Sequence, residues 1–515
     1  MEPVTLVNPP AKVPREIYDT PNYPAIGIGY VAGYLKNHDI PVRVIDGKLA
    51  RKTVDHTIEE LCAARPRVLG ITAMTHEIMT SAEIAEAVKK RCPETIVVLG
   101  GFHCSFLPER TMKEFPAFDY VVVGEGEIAF LKFVRSVLAG DDPSGIQGIA
   151  SRHGDSVRLN GRGEIPEDLD DLGTPAWELF PRAEMYPVMS QRGCPFGCNF
   201  CSRPYGRTLR SRSAAHVVAE IKRNIDLYGC KEMHFYDETF TVKKKHVADI
   251  CDKLEEEGLS GKVKYWSYVH ANTVDLPTAR KMKRAGFAQV GMGVESGNPE
   301  IMAQMKKGVT LERIEEASRI FKEAGIKLGC YFVLGHPHET EETIKDTIRF
   351  ATKLNPYSVG FGLMTPYPGT EVWDMATKGE GGYKVIAVKW EDFNKQIGSS
   401  LELENLSRKT MERLHLQAYL TVYLTNFRVK DLLRIAWLNR GRIFFILKKL
   451  ITGRTGGEVA SSSWLEGSSL PQVRSDSPVL EIHGPDAVAQ SIPESAIVQI
   501  RSAVTSRSTT NTTIH

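Results

Sequence analysis

The chain has 515 residues, too many for a single hydrophobic core, so two or three domains are expected. Its 65 basic and 63 acidic side chains leave a net charge of +2, which argues against nucleic acid or any strongly acidic partner. The N-terminus lacks the basic head and apolar run of a signal peptide, and no apolar stretch reaches the roughly 18 residues of a membrane span, so a cytoplasmic location is expected.

Residues 3–8 read as a short buried strand that stops at Pro9 and Pro10. A helix with small residues at Gly27, Gly29, Ala32 and Gly33 is expected over 26–37. A strand over 42–45, a helix over 54–64, a strand over 68–72 and a helix over 78–91 follow. Further strands are expected at 95–99 and 120–123, with a Gly100–Gly101 turn, a helix near 108–114 and a turn at 124–127. β-Branched strands alternating with amphipathic helices predict an α/β fold, a doubly wound, Rossmann-like parallel sheet. Such a sheet takes ligands at the carboxyl ends of its strands, so the loops at 8–10, 46–49, 72–76, 100–103 and 124–127 form one candidate rim. Residues 1–140 are assigned to this domain, and 141–184, rich in Gly, Asp and Pro, to a connector with a small hairpin.

A second α/β series occupies 185–400. Its strands are expected near 188–191, 232–236, 264–268, 288–294, 328–334 and 358–364, with helices at 214–228, 243–257, 277–285, 311–324 and 339–354. Six strand–helix units are too few for a closed eight-fold barrel and suit an open, partial (β/α)6 barrel, again with its site at the carboxyl ends. Residues 401–452 read as helical, at 408–423 and 429–451. The stretch 432–451 mixes large apolar residues with arginines and lysines; a helix packed on the barrel is the plainer reading and a peripheral membrane contact the alternative. Residues 453–515, rich in Ser, Thr and Gly, read as a largely disordered tail with one short strand at 479–482.

Six of the nine cysteines (Cys62, Cys92, Cys104, Cys230, Cys251 and Cys330) are isolated in apolar or helical surroundings and read as buried, reduced thiols. The other three form Cys194-Pro-Phe-Gly-Cys198-Asn-Phe-Cys201, a C-x3-C-x2-C spacing on a Gly-rich loop directly after a strand. Thiolates at this density point to zinc or iron–sulfur. Structural zinc takes four ligands, and no fourth Cys or His lies nearby in a paired arrangement. An electron-transfer cluster normally has four cysteines as well. Three ligands leave one iron of a 4Fe–4S cubane open, and Phe200 beside Cys201 would shield it.

This motif resembles that of the radical S-adenosylmethionine superfamily. The resemblance continues at Tyr236-Asp237-Glu238-Thr239, at Gly291-x-Gly293-x-Glu295-Ser-Gly, at Leu334-Gly-His-Pro337-His338-Glu339-Thr and at Tyr367-Pro-Gly-Thr370. His338 stands where the family usually has glycine. The resemblance implies that the open iron chelates the methionine end of S-adenosylmethionine and that its reductive cleavage yields a 5′-deoxyadenosyl radical. It implies Phe200, Asp237, Glu238 and Glu295 as residues around S-adenosylmethionine, although Asp237 and Glu295 also suit plain strand-end caps.

The first domain resembles a cobalamin-binding domain, so the whole looks like the cobalamin-dependent branch of the superfamily over roughly residues 1–400. Asp46, Thr72, Met74, Gly100, Gly101, His103, Gly124 and Gly126 are implied around the corrin. The loop Asp46-Gly-Lys48-Leu49-Ala-Arg51 matches the family's cobalt-ligating stretch but contains no histidine, so cobalt would lack that lower ligand.

The branch implies methyl transfer from methylcobalamin to an unactivated carbon of a biosynthetic substrate, with a reducing donor such as flavodoxin or ferredoxin. The basic, aromatic C-terminal segment tilts the substrate toward a lipid such as a hopanoid. A cobalamin-dependent cyclase or rearrangement enzyme is the alternative, and a non-catalytic iron–sulfur scaffold a more distant one. A methylthiotransferase would need three further clustered cysteines, a pattern that Cys62, Cys92 and Cys104 do not form.

Overall fold

The structure is a computed structural model that describes residues 4–11, 21–385, 389–393 and 400–438. The first half builds β1 (Val4–Asn8), α1 (Ile26–Lys36), β2 (Val42–Asp46), α2 (Val54–Ala64), β3 (Val68–Thr72), α3 (Ile78–Arg91) and β4 (Ile96–Gly100). It continues through α4 (Phe102–Phe106), α5 (Pro108–Glu114), β5 (Tyr120–Val122), α6 (Gly126–Ala139), β6 (Ile149–His153) and β7 (Ser156–Leu159). The strands form one sheet in the order β2-β1-β3-β4-β5-β6-β7, parallel from β2 to β5. That order is doubly wound, and its direction reverses between β1 and β3, where such sheets open a crevice. α1 packs with α6, and α2 with α3, so the central strands Val4–Asn8 and Val68–Thr72 are covered.

Two expectations change here. The connector hairpin exists as β6–β7, but β6 pairs antiparallel with β5, so the hairpin extends the first sheet. The expected turn at 124–127 is short, because Gly126 is already the first residue of α6. Helix α4 was not expected at all.

The second half builds β8 (Met185–Val188), β9 (Gln191–Arg192), β10 (Arg210–Ser211), α7 (Ala214–Tyr228), β11 (Glu232–Phe235), α8 (Lys244–Glu256), β12 (Lys264–Val269) and α9 (Leu276–Ala285). Then come β13 (Phe287–Glu295), α10 (Pro299–Gln304), α11 (Leu311–Ala324), β14 (Lys327–Leu334), α12 (Glu341–Leu354) and β15 (Ser358–Leu363). Six strands lie in the order β15-β14-β13-β12-β11-β8, every pair parallel. This is the expected partial barrel. Its helices start on side-chain caps, for example Ser213 to His216, Thr310 to Arg313 and Thr340 to Thr343, which satisfy N–H groups the first turn leaves unpaired.

The first barrel strand ends at Val188, three residues before its expected end at Gln191. The backbone N–H groups of Ser190 and Gln191 donate to Asp237 Oδ1 at 2.7 and 3.1 Å, which draws the chain out of the sheet toward the end of β11. Beyond the barrel lie α13 (Glu371–Lys378), the ribbon of β16 (Tyr383–Val385) and β17 (Leu401–Leu403), α14 (Arg408–Thr425) and α15 (Val429–Leu438). α14 packs on α12 and β15. Most of the basic stretch 432–451 and all of the tail 453–515 lie outside the described residues. No helix among the described residues is long and apolar enough to cross a membrane.

Candidate active site

The cysteine loop runs between the two strands of the β9–β10 ribbon. Gly193 opens it at φ +98°, and a Cβ there would stand 2.2 Å from the Thr208 carbonyl oxygen, so the turn needs glycine. The loop is then pinned from several sides. Cys194 N–H donates to Gly206 O at 3.2 Å, Asn199 N–H to Met305 O at 3.1 Å, and the Arg203 guanidinium to Phe196 O at 3.1 Å. None of the three cysteines is in a disulfide; Cys194 and Cys198 are half-buried and Cys201 is exposed. Burial pushes the Cys198 thiol up, while Lys307 pulls it down and Glu295 and Cys194 push it up, so these four groups share one neighbourhood. Among the described residues no three His, Cys, Asp or Glu side chains converge on one ion-sized position, as a closed zinc site requires. A cubane instead spreads its thiolates over separate irons, which suits three cysteines spaced along one pinned loop.

The strand ends supply the surrounding charges. Asp237 is buried and its oxygens are already taken by Ser190 N–H, Gln191 N–H and the Ser190 hydroxyl at 2.5 Å; burial raises its carboxyl to about 6. It therefore holds the start of the loop, the cap role. Glu238 accepts from Gly193 N–H at 2.6 Å through Oε2, while its Oε1 is buried with no hydrogen-bond partner, and burial raises the carboxyl to about 7. Glu295 sits at φ +71°, after a register shift in the β13–β14 ladder, and pairs with Lys307 Nζ at 2.7 Å. Phe200 lies edge-on to His336 at 5.5 Å, and Phe196 stacks on His270 at 3.7 Å.

Lys307, His270 and His336 were not singled out from the sequence. His336 is buried with both ring nitrogens unpartnered, and burial lowers its pKa to about 3, so its imidazole is neutral. A polar residue inside Leu334-Gly-His-Pro337, at the end of a buried strand, was the available signal for it. No spacing rule ties Lys307 to Glu295.

The rim of the first sheet is equally specific. Asp46 is buried and ties three segments together: Oδ1 accepts from Asn8 at 2.8 Å and from Leu49 N–H at 3.1 Å, and Oδ2 from Ala25 N–H at 3.1 Å. Gly101, at φ +98°, passes so close to Ala73 and the Thr72 hydroxyl that a Cβ would stand 2.7 and 2.8 Å from their oxygens. Gly100 and Gly124 instead have no described neighbour within 4 Å of where a Cβ would lie, and Met74, two residues past the Thr72 that pairs with Gly100, is 42% exposed. Open backbone next to an exposed apolar side chain fits the approach of a large flat group such as a corrin. The His103 backbone stays on that rim, its N–H donating to Ala73 O at 3.3 Å, but its side chain is buried. It lies in α4, is 1% exposed, and packs edge-on against Trp390 at 4.8 Å. Lys48, two residues after Asp46, is buried in an ion pair with Glu77, whose other oxygen accepts from Met74 N–H.

The two rims meet. Arg192 reaches Glu125 and Glu127 at the start of α6, Tyr23 lies 5.4 Å from Tyr236 ring to ring, and Gly369 abuts Phe106.

Comparison with known proteins agrees with this architecture. The B12 binding domain family matches residues 20–134 and the Radical SAM superfamily matches residues 188–351. An uncharacterized methyltransferase of Pyrococcus horikoshii is 31% identical over 87% of this chain and 97% of its own length. The anaerobic magnesium-protoporphyrin IX monomethyl ester cyclase of Rubrivivax gelatinosus is 29% identical over 72% of this chain and 69% of its own. Among solved structures, the radical S-adenosylmethionine methyltransferase TsrM from Kitasatospora setae, with cobalamin and a [4Fe-4S] cluster bound, superposes with a TM-score of 0.66 at 18% identity, covering 82% of this chain and 88% of that one. The cobalamin-dependent S-adenosylmethionine radical enzyme OxsB gives a TM-score of 0.68 at 17% identity, covering 90% and 75%. The chain is an enzyme of the cobalamin-binding radical S-adenosylmethionine family, whose cofactors are a 4Fe–4S cluster, S-adenosylmethionine and cobalamin.

Proposed function

We propose that this enzyme transfers a methyl group from methylcobalamin to an unactivated carbon of a biosynthetic substrate. The observation that carries the reading is the contact between the rims: the loop after β5 touches the residues that lead into the cysteine loop. Bound there, the cluster with S-adenosylmethionine supplies a 5′-deoxyadenosyl radical and cobalamin supplies the methyl group. Cys194, Cys198 and Cys201 would hold the cluster, with Phe200 shielding it. The unpartnered Glu238 oxygen and the Glu295–Lys307 pair offer opposite charges to the amino and carboxylate groups of S-adenosylmethionine. Asp237 acts one step back, fixing the turn into the loop. Thr72, Met74, Gly100, Gly101, Gly124 and Gly126 would line the corrin, and Asp46 would shape that rim through Asn8 and Leu49.

The substrate is assigned only as a biosynthetic small molecule; the composition of 432–451 is what favours a lipid such as a hopanoid. A low-potential donor such as flavodoxin or ferredoxin would reduce the cluster. The likeness to the R. gelatinosus cyclase supports a second reading, ring closure without methyl transfer.

The test is anaerobic reconstitution with iron, sulfide and hydroxocobalamin, followed by reduction in the presence of S-adenosylmethionine. 5′-Deoxyadenosine is the expected product, and S-adenosylhomocysteine should form alongside it during turnover. No cleavage of S-adenosylmethionine in fully loaded protein overturns the radical reading. Cleavage without S-adenosylhomocysteine in turnover turns it toward the cyclase.

A further inference from the structure

We infer that Arg192 is a positioning residue that sets the separation between the cobalamin rim and the cysteine loop; the inference rests on the cofactor placement just proposed. Arg192 lies two residues before Cys194, and its backbone is fixed by pairing with Arg210 across the β9–β10 ribbon. Its side chain leaves the barrel and ends between two carboxylates of the first domain. Nη1 stands 2.6 Å from Glu125 Oε2 and Nη2 stands 2.6 Å from Glu127 Oε1. The rings of Tyr30 and Tyr205 flank the guanidinium at 5.3 and 5.0 Å. Glu125 is also bound by Arg210, so one carboxylate is held by both strands of the ribbon. Glu125 and Glu127 bracket Gly126 at the start of α6, directly after Gly124, in the loop that would meet the corrin.

Stability alone does not explain this choice of residues. Arg192 is 3% exposed and Glu127 5%. Desolvating such charges costs about as much as their attraction returns, and apolar residues of similar volume would join two domains at least as well. Burial pushes the Glu127 carboxyl up, but Arg192 outweighs it and holds the group below its usual range, so the pair stays ionised. What a buried arginine between two carboxylates adds is direction: each short, charge-assisted bond fixes both length and angle. The constraint passes on along the chain, since Gly193 N–H is held by Glu238 and Cys194 N–H by Gly206. One side chain therefore joins the loop expected against cobalamin to the loop expected around the cluster.

The reduced cluster and cob(II)alamin are both paramagnetic, so pulsed electron paramagnetic resonance of reconstituted protein reads their separation without any turnover. Wild type should give one narrow distance distribution. Arg192→Lys keeps the charge but loses the two-carboxylate fork, and it should shift or broaden that distribution by roughly 1 Å, the scale of misplacement that costs about 100-fold in rate. Glu127→Gln, which keeps shape and one hydrogen bond, should give a smaller change in the same direction and covers the case in which Arg192→Lys folds poorly. Glu220→Gln, which disturbs the other buried arginine pair beside this ribbon at Arg212, should lower the melting temperature without moving the distribution. Distributions identical to wild type in both Arg192→Lys and Glu127→Gln, with only the melting temperature lowered, overturn the positioning role and leave a domain glue. Wild type that takes up no corrin, or no iron and sulfide, on reconstitution overturns the cofactor placement itself, and this inference with it.

Discussion

Glu295 and Lys307 form a buried ion pair, Oε1 to Nζ 2.7 Å apart, at the carboxyl end of β13. The space that pair fills is the space a side chain at Gly293 would need: a Cβ there would stand 2.2 Å from Glu295 Oε1 and 2.8 Å from Lys307 Nζ. Glu295 itself adopts a left-handed backbone, which few non-glycine residues hold without support from their surroundings.

Lys307→Met should therefore destabilise the protein strongly, because it strands a buried carboxylate. Breaking a buried pair costs about 3–5 kcal/mol, whereas removing both charges is often nearly neutral. The double variant Glu295→Gln/Lys307→Met should recover most of that loss in a urea titration. A double variant no more stable than Lys307→Met would mean that the two charges do not act on each other.

How much of this could be read from the sequence depends on distance along the chain. Helices such as Ala214–Tyr228 and Leu311–Ala324 were legible to the residue, since a capping Ser or Thr and an apolar period of 3.6 are local signals. The spacing of the three cysteines was equally local, and the structure places all three on one loop. The end of β8 was not legible: the strand was expected to run on to Gln191, and only Asp237, 46 to 47 residues away, shows why the chain turns out earlier. Asp237 was legible as a strand-end residue, but its commitment to Ser190 and Gln191 was not. The Arg192–Glu125 contact spans 67 residues and joins two domains, so no periodicity could announce it. A histidine after Gly100–Gly101 suited a packed structural role as well as a place at the corrin; its ring partner, Trp390, is nearly three hundred positions away in the chain and could not be read from it.

The two adjacent glycines at the end of β4, Gly100 and Gly101, make a matched test of the corrin rim. Gly101→Ala should cost about 1–3 kcal/mol, since the new methyl group meets backbone at a positive φ. Gly100→Ala meets no protein atom, so its melting temperature should stay close to wild type. Its effect should appear instead in cobalamin uptake, followed by corrin absorption, because the added methyl group would stand where the cofactor approaches. Unchanged uptake by Gly100→Ala would move the corrin away from that surface.

The cysteine loop should keep its fold without its thiols. Gly206, Met305 and Arg203 hold it through backbone and guanidinium bonds that involve no sulfur. Cys198→Ala should then lose iron and sulfide almost completely while its far-ultraviolet circular dichroism remains that of wild type. Full iron content in that variant would remove Cys198 from the cluster.

Glu339 supplies the clearest pH dependence. It is 1% exposed, accepts from the backbone N–H groups of Gly335 and His336 through Oε2, and leaves Oε1 without a partner. Burial raises its carboxyl to about 7, while those two hydrogen bonds pull only partly the other way. The folded protein thus binds the proton more tightly than the unfolded chain does. Its contribution to stability is fully present below the unfolded carboxyl pKa of about 4.3 and is lost as pH rises through about 7, by up to about 4 kcal/mol. Glu339→Gln mimics the protonated form at every pH. Urea midpoints of the two proteins should be close near about pH 5, and the variant should be the more stable near about pH 8. Parallel curves across that range would show that Glu339 is ionised in the fold at the lower pH as well.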